Sequence, residues 1–591
     1  MKSRFLPSGL CVLACMAVAS VVLAATPATM PVEELRPGMR GVAYTVFEGV
    51  RPEKMEVEVL GVLKNVIGPR KHVILVRLHG EKAEFTGVVA GMSGSPVYIE
   101  DKLVGALAYK IGLFNKEPIA GITPIADMLE IAEQDSTPAP PTHVARAQTI
   151  APVEVSGPGL SEQEAELYRQ HLQPIETPLV FSGFREETVQ RFASQFAEAG
   201  VVPVMGAGSV EEEKQPEPLE PGSGVSMVLI RGDLNIAAGC TVTLVDAERL
   251  LACGHPLLHF GRVDLPITKS RVLVTVASDM ASFKIMQATE TVGALVQDRL
   301  TGVLGHLGQK AEMVPITLSL KNGVETKTYR FEALNHARIT PAAVMATVYN
   351  ALRGVNEYGE DVSFRMNGSL RVEGYPAVSM QDIFAPSDGQ PTAYGIAITL
   401  GQRFTRIYSN PWAGARIQGL DLEFDVLPER RWARLESART DVVEARPGDT
   451  IVIEAVLRPY RGERILRQIP VRIPVSAPRG ALRILVSDGD SLDRMRNPSP
   501  QGRPLDLASI IASLNKERVN HRLYVSVLQA QPEALVEDKV MPTLPLSVIN
   551  VMDGLRGTRD MVVMSESSVD ESSTALDYAV TGAQLLTVVV K

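Results

Sequence analysis

The sequence predicts a mainly β protein built from several domains, and three observations support this prediction. Its 591 residues are too many for one hydrophobic core. The chain holds 47 glycines and 40 prolines, an abundance that fits many short strands joined by turns. Runs rich in β-branched residues and alternating in polarity recur along it, such as MEVEVLGVL and SMVLIRG.

The first 25 residues are expected to be a secretory signal peptide. Lys2 and Arg4 precede an apolar stretch over residues 10–23, and small residues favour a cut near Ala24 or Ala25. Retention of this stretch as a membrane anchor is the alternative. No later stretch reaches the roughly 18 apolar residues of a transmembrane helix. We therefore expect an exported protein, periplasmic or extracellular, that is soluble after signal cleavage and either free or associated with the cell envelope.

The remaining sequence divides by pattern into six segments. They are a strand-rich segment (30–135), a segment of linkers and helices (136–224), a second strand-rich segment (225–312), a β-rich domain (313–428), a segment resembling a small β-sandwich (429–490) and a C-terminal α+β segment (491–591).

Charge and histidine spacing exclude some functions. The formal net charge is −9 and no strongly basic block occurs, so we expect no nucleic-acid partner. His255 and His259 are four residues apart and would be the candidate metal pair, but Pro256 lies between them, so no helical His-x-x-x-His context supports this alternative. We therefore expect neither a metal site nor another cofactor.

The first strand-rich segment contains a turn with unusual backbone freedom, Gly91-Met92-Ser93-Gly94-Ser95-Pro96. Glycines on both sides of Ser93 allow positive φ and close approach of other groups. In one interpretation, the amides of residues 91 to 93 converge as an oxyanion hole and Ser93 is a nucleophile. In the other, the turn is a tight hairpin or bulge without chemistry.

A serine nucleophile needs a base, and His255 is the best candidate among nine histidines. It lies in LLACGHPLLHFG, on a Gly-His-Pro turn at the end of an apolar strand. A histidine on such a turn can project into a cleft instead of packing in a core.

These two stretches resemble a known family. TGVVAGMSGSPVYIEDKLVGALAY is similar to the nucleophile segment of the SpoIVB serine peptidases, and TVTLVDAERLLACGHPLLHFG to their histidine segment. The resemblance covers about a third of the chain. It implies a trypsin-like double β-barrel, with Ser93 as nucleophile, His255 as general base, and the Gly91 and Ser93 amides as oxyanion donors. A protein or peptide substrate is then expected.

Two departures from the family pattern leave the function open. The serine half precedes the histidine half, so the two halves are permuted. The family's aspartate is missing, since His79 stands at its position; Asp298 is the alternative acid. The sequence thus allows an exported serine endopeptidase acting on envelope or secreted proteins, or a weakly active or inactive peptidase-like scaffold that binds envelope partners.

Cys240 and Cys253 are the two cysteines that follow the expected signal peptide, as suits an oxidising compartment. A two-residue turn at Asp246-Ala247 would pair Val245 with Glu248 and place the cysteines opposite each other. A cross-strand disulfide is one interpretation. Two small apolar side chains packed in a core are the other.

Overall fold

The computed structural model describes most of the chain. The described residues are 27–112, 117–135, 162–197, 201–206, 214–246, 248–278, 281–354, 361–386, 390–412, 414–496, 505–536, 539–553 and 561–591. The expected signal peptide (1–25) lies outside them. Within these ranges, no helix combines the length and the apolar character needed to cross a membrane.

The prediction of a mainly β protein is confirmed, since strands make up 52% of the structure and helices 19%. The strands are β1 (Arg40–Thr45), β2 (Glu53–Gly68), β3 (Lys71–His79), β4 (Pro96–Ile99), β5 (Lys102–Ile111), β6 (Ile119–Pro124), β7 (Leu172–Pro174), β8 (Thr177–Ser182), β9 (Val201–Met205), β10 (Gly224–Gly232), β11 (Asn235–Asp246), β12 (Arg249–Ala252), β13 (Gly261–Val276), β14 (Phe283–Arg299), β15 (Gly302–Leu307), β16 (Met313–Asn322), β17 (Glu325–Leu334), β18 (Ser363–Val372), β19 (Val378–Phe384), β20 (Ile417–Leu427), β21 (Trp432–Arg439), β22 (Glu444–Ala445), β23 (Thr450–Pro459), β24 (Ile465–Arg472), β25 (Gly480–Ser487), β26 (Arg522–Gln529), β27 (Glu533–Val536), β28 (Lys539–Met541), β29 (Met561–Met564), β30 (Ser567–Ala575), β31 (Ala579–Thr581) and β32 (Ala583–Val590).

The helices are shorter and fewer than the strands. They are α1 (Glu81–Thr86), α2 (Ile125–Asp135), α3 (Glu162–His171), α4 (Glu186–Ala197), α5 (Thr340–Arg353), α6 (Thr392–Tyr408), α7 (Gly489–Arg496), α8 (Leu507–Lys516) and α9 (Leu546–Asp553), with a 3₁₀ turn at Val32–Glu34.

Strands β1 to β6 form a closed antiparallel barrel. The strand order is β4-β1-β2-β3-β6-β5, and pairing of β4 with β5 closes it. Apolar side chains alternate inward along these strands, as in β2, where Met55, Val57 and Val59 are buried. Strand β7 adds to the outer edge of β5.

The largest sheet has thirteen strands, in the order β19-β18-β20-β16-β17-β10-β13-β14-β15-β12-β11-β8-β9. A further pairing of β10 with β11 closes six of these, β10-β13-β14-β15-β12-β11, into a ring of antiparallel strands. Strand β12 ends at Ala252 and leads into the turn that carries His255.

The barrel and this ring pack against each other through apolar side chains. Leu103 and Ala106 of β5, with Met128 of α2, share a buried cluster with Leu244 of β11 and Leu251 of β12. The junction therefore lies beside two turns. One is the turn from Gly91 to Pro96, here called the serine turn, which leads into β4, and the other is the turn around His255, here called the histidine turn, which follows β12.

The segment boundaries differ from the sequence prediction in two places. Within the expected segment of linkers and helices, 136–224, strands β7, β8 and β9 form and join the two large sheets. Residue 312 is not a break, because β17 pairs with β10 (Ile230↔Ala333) and one core runs from Leu179 to Leu514. These pairings are long-range, so local patterns did not reveal them. The predicted linker at 136–153 lies outside the described residues.

The C-terminal part forms a sandwich of two sheets, β24-β23-β21-β31 and β22-β32-β25-β26-β30. Its core combines Leu435 and Ile453 with Val525, Val580 and Val588. The sandwich thus needs strands from both sides of residue 490, the predicted boundary.

Candidate functional site

The serine turn connects α1 to β4 and depends on its two glycines. Gly91 has φ +94° and Gly94 φ +95°, which only glycine adopts without strain. The Ser95 amide donates to the Met92 carbonyl at 3.0 Å, and Ser95 Oγ donates to the same oxygen at 2.7 Å. Ser95 therefore stabilises the turn, while Ser93 lies at its centre.

Strand β11 of the ring holds the serine turn through three hydrogen bonds. The Thr241 amide donates to the Ser93 carbonyl at 2.8 Å. Thr241 Oγ1 donates to the Gly91 carbonyl at 3.0 Å, and Thr243 Oγ1 to the Gly94 carbonyl at 2.8 Å. The turn of the barrel is thus fixed directly to the other half of the site.

The histidine turn approaches the same strands from the ring. Cys253 and Gly254 both adopt positive φ, 66° and 67°, which reverses the chain after β12. Thr123 Oγ1 of the barrel donates to the Gly254 carbonyl at 2.5 Å. A Cβ on Gly254 would lie 3.1 Å from Ala108 Cβ, so glycine permits the close packing against β5.

A disulfide joins Cys240 to Cys253, with Cα atoms 5.4 Å apart. The hairpin register that motivated this pair is nevertheless wrong. Val245 pairs with Leu250 rather than Glu248, and the register shifts between Val242 and Leu244. The cysteines therefore meet across a bulge and a turn, not across a regular ladder.

The structure brings Ser93 and His255 to one junction without joining them by a hydrogen bond. Ser93 is 0% exposed and His255 3% exposed. Ser93 Oγ and His255 Nε2 are both buried, and neither has a hydrogen-bond partner among the described residues. Buried polar atoms without a partner are uncommon in folded proteins, and these two lie on turns that pack against each other.

The His255 ring is held in one tautomer by its own loop. Nδ1 lies 2.7 Å from the Pro256 carbonyl, a contact that requires the proton on Nδ1. Nε2 is then the unprotonated nitrogen, as a general base requires. Burial lowers the pKa of His255 to about 4, although carbonyls of Pro256 and Ile175 and the charge of Glu176 oppose this.

Asp298, the candidate acid, does not orient the histidine ring. Its carboxylate accepts hydrogen bonds from the amides of Leu257 at 2.7 Å, Leu258 at 2.8 Å and Phe260 at 3.2 Å. The expected triad contact with His255 is therefore not formed. Asp298 instead shapes the loop that follows the histidine, and burial raises the pKa of its carboxyl group.

One expected oxyanion donor is already engaged. The Gly91 amide donates to the Glu176 carbonyl at 3.2 Å. Residue 176 belongs to a segment whose sequence, HLQPIET, carries no motif for a catalytic cleft. Sequence reasoning therefore missed its place at the site.

Lys284 is a second residue that the sequence did not indicate. Its side chain packs over the serine turn, since a Cβ on Gly91 would lie 3.4 Å from Lys284 Cδ. The side chain is 1% exposed, and Nζ donates to Thr45 Oγ1 at 2.7 Å. Burial lowers the pKa of Lys284 to about 7, with partial compensation by Glu53. A lone lysine in a strand gives no local signal of burial.

No group of three or more histidine, cysteine, aspartate or glutamate side chains is placed to hold a metal ion within the described ranges. His79, at the position of the family's aspartate, contacts Glu58 Oε2 at 3.1 Å.

Comparisons with protein-family models, with curated proteins and with solved structures found no match to this chain.

Proposed function

We propose that the chain is an exported serine endopeptidase of the SpoIVB type, with Ser93 as nucleophile and His255 as general base. The observation that carries the proposal is the occurrence of two buried atoms without hydrogen-bond partners, Ser93 Oγ and His255 Nε2, on adjoining glycine turns. The closed barrel and the ring of six strands support a trypsin-like double barrel with permuted halves.

The proposed reaction uses atoms that the two turns supply. His255 Nε2 takes the Ser93 proton as Oγ attacks the carbonyl carbon of a peptide bond. Collapse of the tetrahedral intermediate breaks the C–N bond, and the leaving amine receives the proton from His255. Water then hydrolyses the acyl ester by the same route. The Ser93 amide, and the Gly91 amide once released from Glu176, would stabilise the oxyanion.

The Pro256 carbonyl would replace the family's carboxylate as the partner of Nδ1. It fixes the tautomer but does not carry the negative charge that stabilises an imidazolium ion. Since loss of that carboxylate can cost about 10⁴ in kcat, we expect slow catalysis.

Labelling with a fluorophosphonate probe tests the proposal. Ser93 Oγ would attack phosphorus, fluoride would leave, and His255 would accept the proton. We expect Ser93→Ala to abolish labelling and Ser95→Ala, the matched control, to retain it, because Ser95 Oγ already donates to the Met92 carbonyl. If no form of the chain labels at Ser93 while a control peptidase does, the proposal is overturned.

The second candidate is a non-catalytic scaffold that binds envelope partners. Complete burial of Ser93 and the missing bond from Oγ to Nε2 favour it. It predicts that Ser93→Ala leaves partner binding unchanged and that no serine in the chain is labelled.

A further inference from the structure

Residues 172–176 extend one edge of the barrel as an added strand. They run antiparallel to β5, with Lys110 opposite Gln173 and Tyr109 opposite Pro174. The Gly112 amide donates to the His171 carbonyl at 3.0 Å, and the Ile175 amide to the Ala108 carbonyl at 2.8 Å. Antiparallel bonds alternate, so Gln173 falls at a hydrogen-bonded pair, while Pro174 falls where no N–H is needed.

The same segment ends at the serine turn, which carries the proposed nucleophile. The Glu176 carbonyl accepts from the Gly91 amide at 3.2 Å. The main chain of Ile175 also opposes the lowering of the His255 pKa that burial causes. Segment 172–176 therefore contacts the serine turn directly and acts electrostatically on the histidine.

Two side chains fix the segment in this position. Ile175 is 0% exposed and shares the barrel core with Met92 of the serine turn and with Val89, which precedes that turn. Lys110 Nζ forms an ion pair with Glu176 Oε1 at 2.6 Å, and the lysine side chain is only 10% exposed. The edge of β5 thus offers an apolar pocket followed by a buried cation.

We propose that segment 172–176 is an internal ligand of the Ser93 site, occupying the position of an extended peptide and masking the site until it is displaced. The external partner is an extended peptide with an aliphatic residue followed by an acidic one. This inference rests on the proposed peptidase function.

The chemistry of the segment explains why it can act as a ligand. An extended peptide gains main-chain hydrogen bonds by adding to a sheet edge, and side-chain pockets give specificity. Because the segment belongs to the same chain, its effective concentration at the edge exceeds that of a free peptide. It therefore outcompetes peptides until its own pairing is weakened.

Gln173→Pro tests the masking in the full chain, with Gln173→Ala as the matched control. Both remove an exposed side chain, but only proline removes the N–H directed to Lys110. We expect Gln173→Pro to label with fluorophosphonate about three to ten times faster than wild type, and Gln173→Ala at the wild-type rate. Hydrogen exchange of peptides covering residues 172–176 measures the loosening directly.

The outcomes separate this inference from the proposed function. If Gln173→Pro shows faster hydrogen exchange over residues 172–176 and faster labelling of Ser93, both the masking and the peptidase function are supported. Faster exchange with an unchanged rate of Ser93 labelling overturns the masking and leaves the peptidase standing. Faster exchange without labelling in any form overturns the peptidase and the inference that rests on it.

An engineered disulfide that locks segment 172–176 onto β5 provides a second test, which does not depend on weakening the pairing of the segment. Ile111 and Leu172 form a non-hydrogen-bonded pair, where Cα atoms lie about 4.5 Å apart and a disulfide fits. Ile111→Cys with Leu172→Cys should label more slowly when oxidised than when reduced. Wild type treated with the same reductant controls for Cys240–Cys253. Equal rates in the two states of the lock would overturn the masking.

A synthetic peptide tests the partner's chemistry. The heptapeptide HLQPIET, which repeats residues 171–177, should slow labelling of Gln173→Pro when present in excess. A scrambled peptide of the same composition is the control. Equal effects of the two peptides would show that the edge does not read this sequence and would overturn the assignment of the ligand.

Discussion

Lys284 Nζ donates to Thr45 Oγ1 at 2.7 Å, across the boundary between the ring and the barrel. The lysine is 1% exposed, and no salt bridge reaches it within the described part of the chain. Burial lowers its pKa to about 7, so a proton that the unfolded chain retains up to about pH 10.5 leaves the folded protein near pH 7.

The first prediction concerns the alkaline stability that follows from this lysine. Between pH 7 and 10.5 the unfolded state binds one more proton, so Lys284 makes stability rise with pH by about 1.4 kcal/mol per pH unit. Lys284→Met, paired with Thr45→Val to remove the orphaned hydroxyl, should raise the thermal midpoint at pH 7 and flatten this slope. Calorimetry at pH 7, 8 and 9 measures both effects.

Exchange of the exposed Lys54 for methionine is the matched control and should leave the slope unchanged. An unchanged slope in the Lys284→Met, Thr45→Val variant would show that the buried lysine does not titrate near pH 7.

The second prediction concerns acid. Burial lowers the pKa of His255 to about 4, below its usual 6.5. The unfolded state therefore gains a proton first as pH falls, and this contribution to stability is present above pH 6.5 and lost towards pH 4. His255→Gln should reduce the drop in thermal midpoint between pH 6.5 and 4.5, while the exposed control His171→Gln should not. An equal drop in both variants would contradict the assignment.

Sequence reasoning found the residues whose chemistry depends on local backbone shape. Ser93 and His255 lie on turns that need glycine, and glycine is visible in the sequence. Ile175 and Glu176 reach the site through pairing with β5, and Lys284 through packing between the two halves. Their local sequences are ordinary for strands, so only the tertiary structure could place them.

The mainly β fold class was predicted correctly from the sequence, but the register in which the strands pair was not. Alternating polarity identified the strands from Arg40 onwards, but a bulge between Val242 and Leu244 shifted the pairing of β11 with β12. A bulge changes the count of opposed residues without changing composition. The pairing of β10 with β17 was not visible locally for a different reason, because it joins residues about a hundred positions apart in the sequence.

The third prediction tests the close approach of the two halves. A Cβ on Gly94 would overlap the Thr241 carbonyl oxygen and lie 2.5 Å from the Cys253 nitrogen. Gly94→Ala should therefore lower the thermal midpoint strongly and separate the serine turn from β11. Gly80→Ala is the matched control, because Gly80 also has positive φ, +114°, but has nothing within 4 Å. If the thermal midpoint falls equally in Gly94→Ala and Gly80→Ala, backbone strain alone explains the loss, and the close approach of the two halves does not.

The fourth prediction concerns Asp298, whose buried carboxylate accepts three main-chain amides. Asp298→Asn replaces one acceptor oxygen with a donor that opposes an amide of the 257–260 loop. We expect a loss of about 2 kcal/mol or more and faster hydrogen exchange in that loop. Asp264→Asn, which removes one exposed acceptor for the Glu312 amide, is the control. Unchanged exchange would contradict the positioning role.

The fifth prediction concerns the disulfide between Cys240 and Cys253, which closes a loop with a sequence separation of 13. In the chain-entropy model such a loop contributes about 3 kcal/mol, so Cys240→Ala with Cys253→Ala should lower the thermal midpoint by several degrees. Reductant should destabilise wild type similarly and leave the double variant unchanged. Thiol counting on denatured, unreduced protein expressed from residue 26 should find no free thiols. Two free thiols per chain would contradict the bond, since Cys11 and Cys15 are absent from that protein.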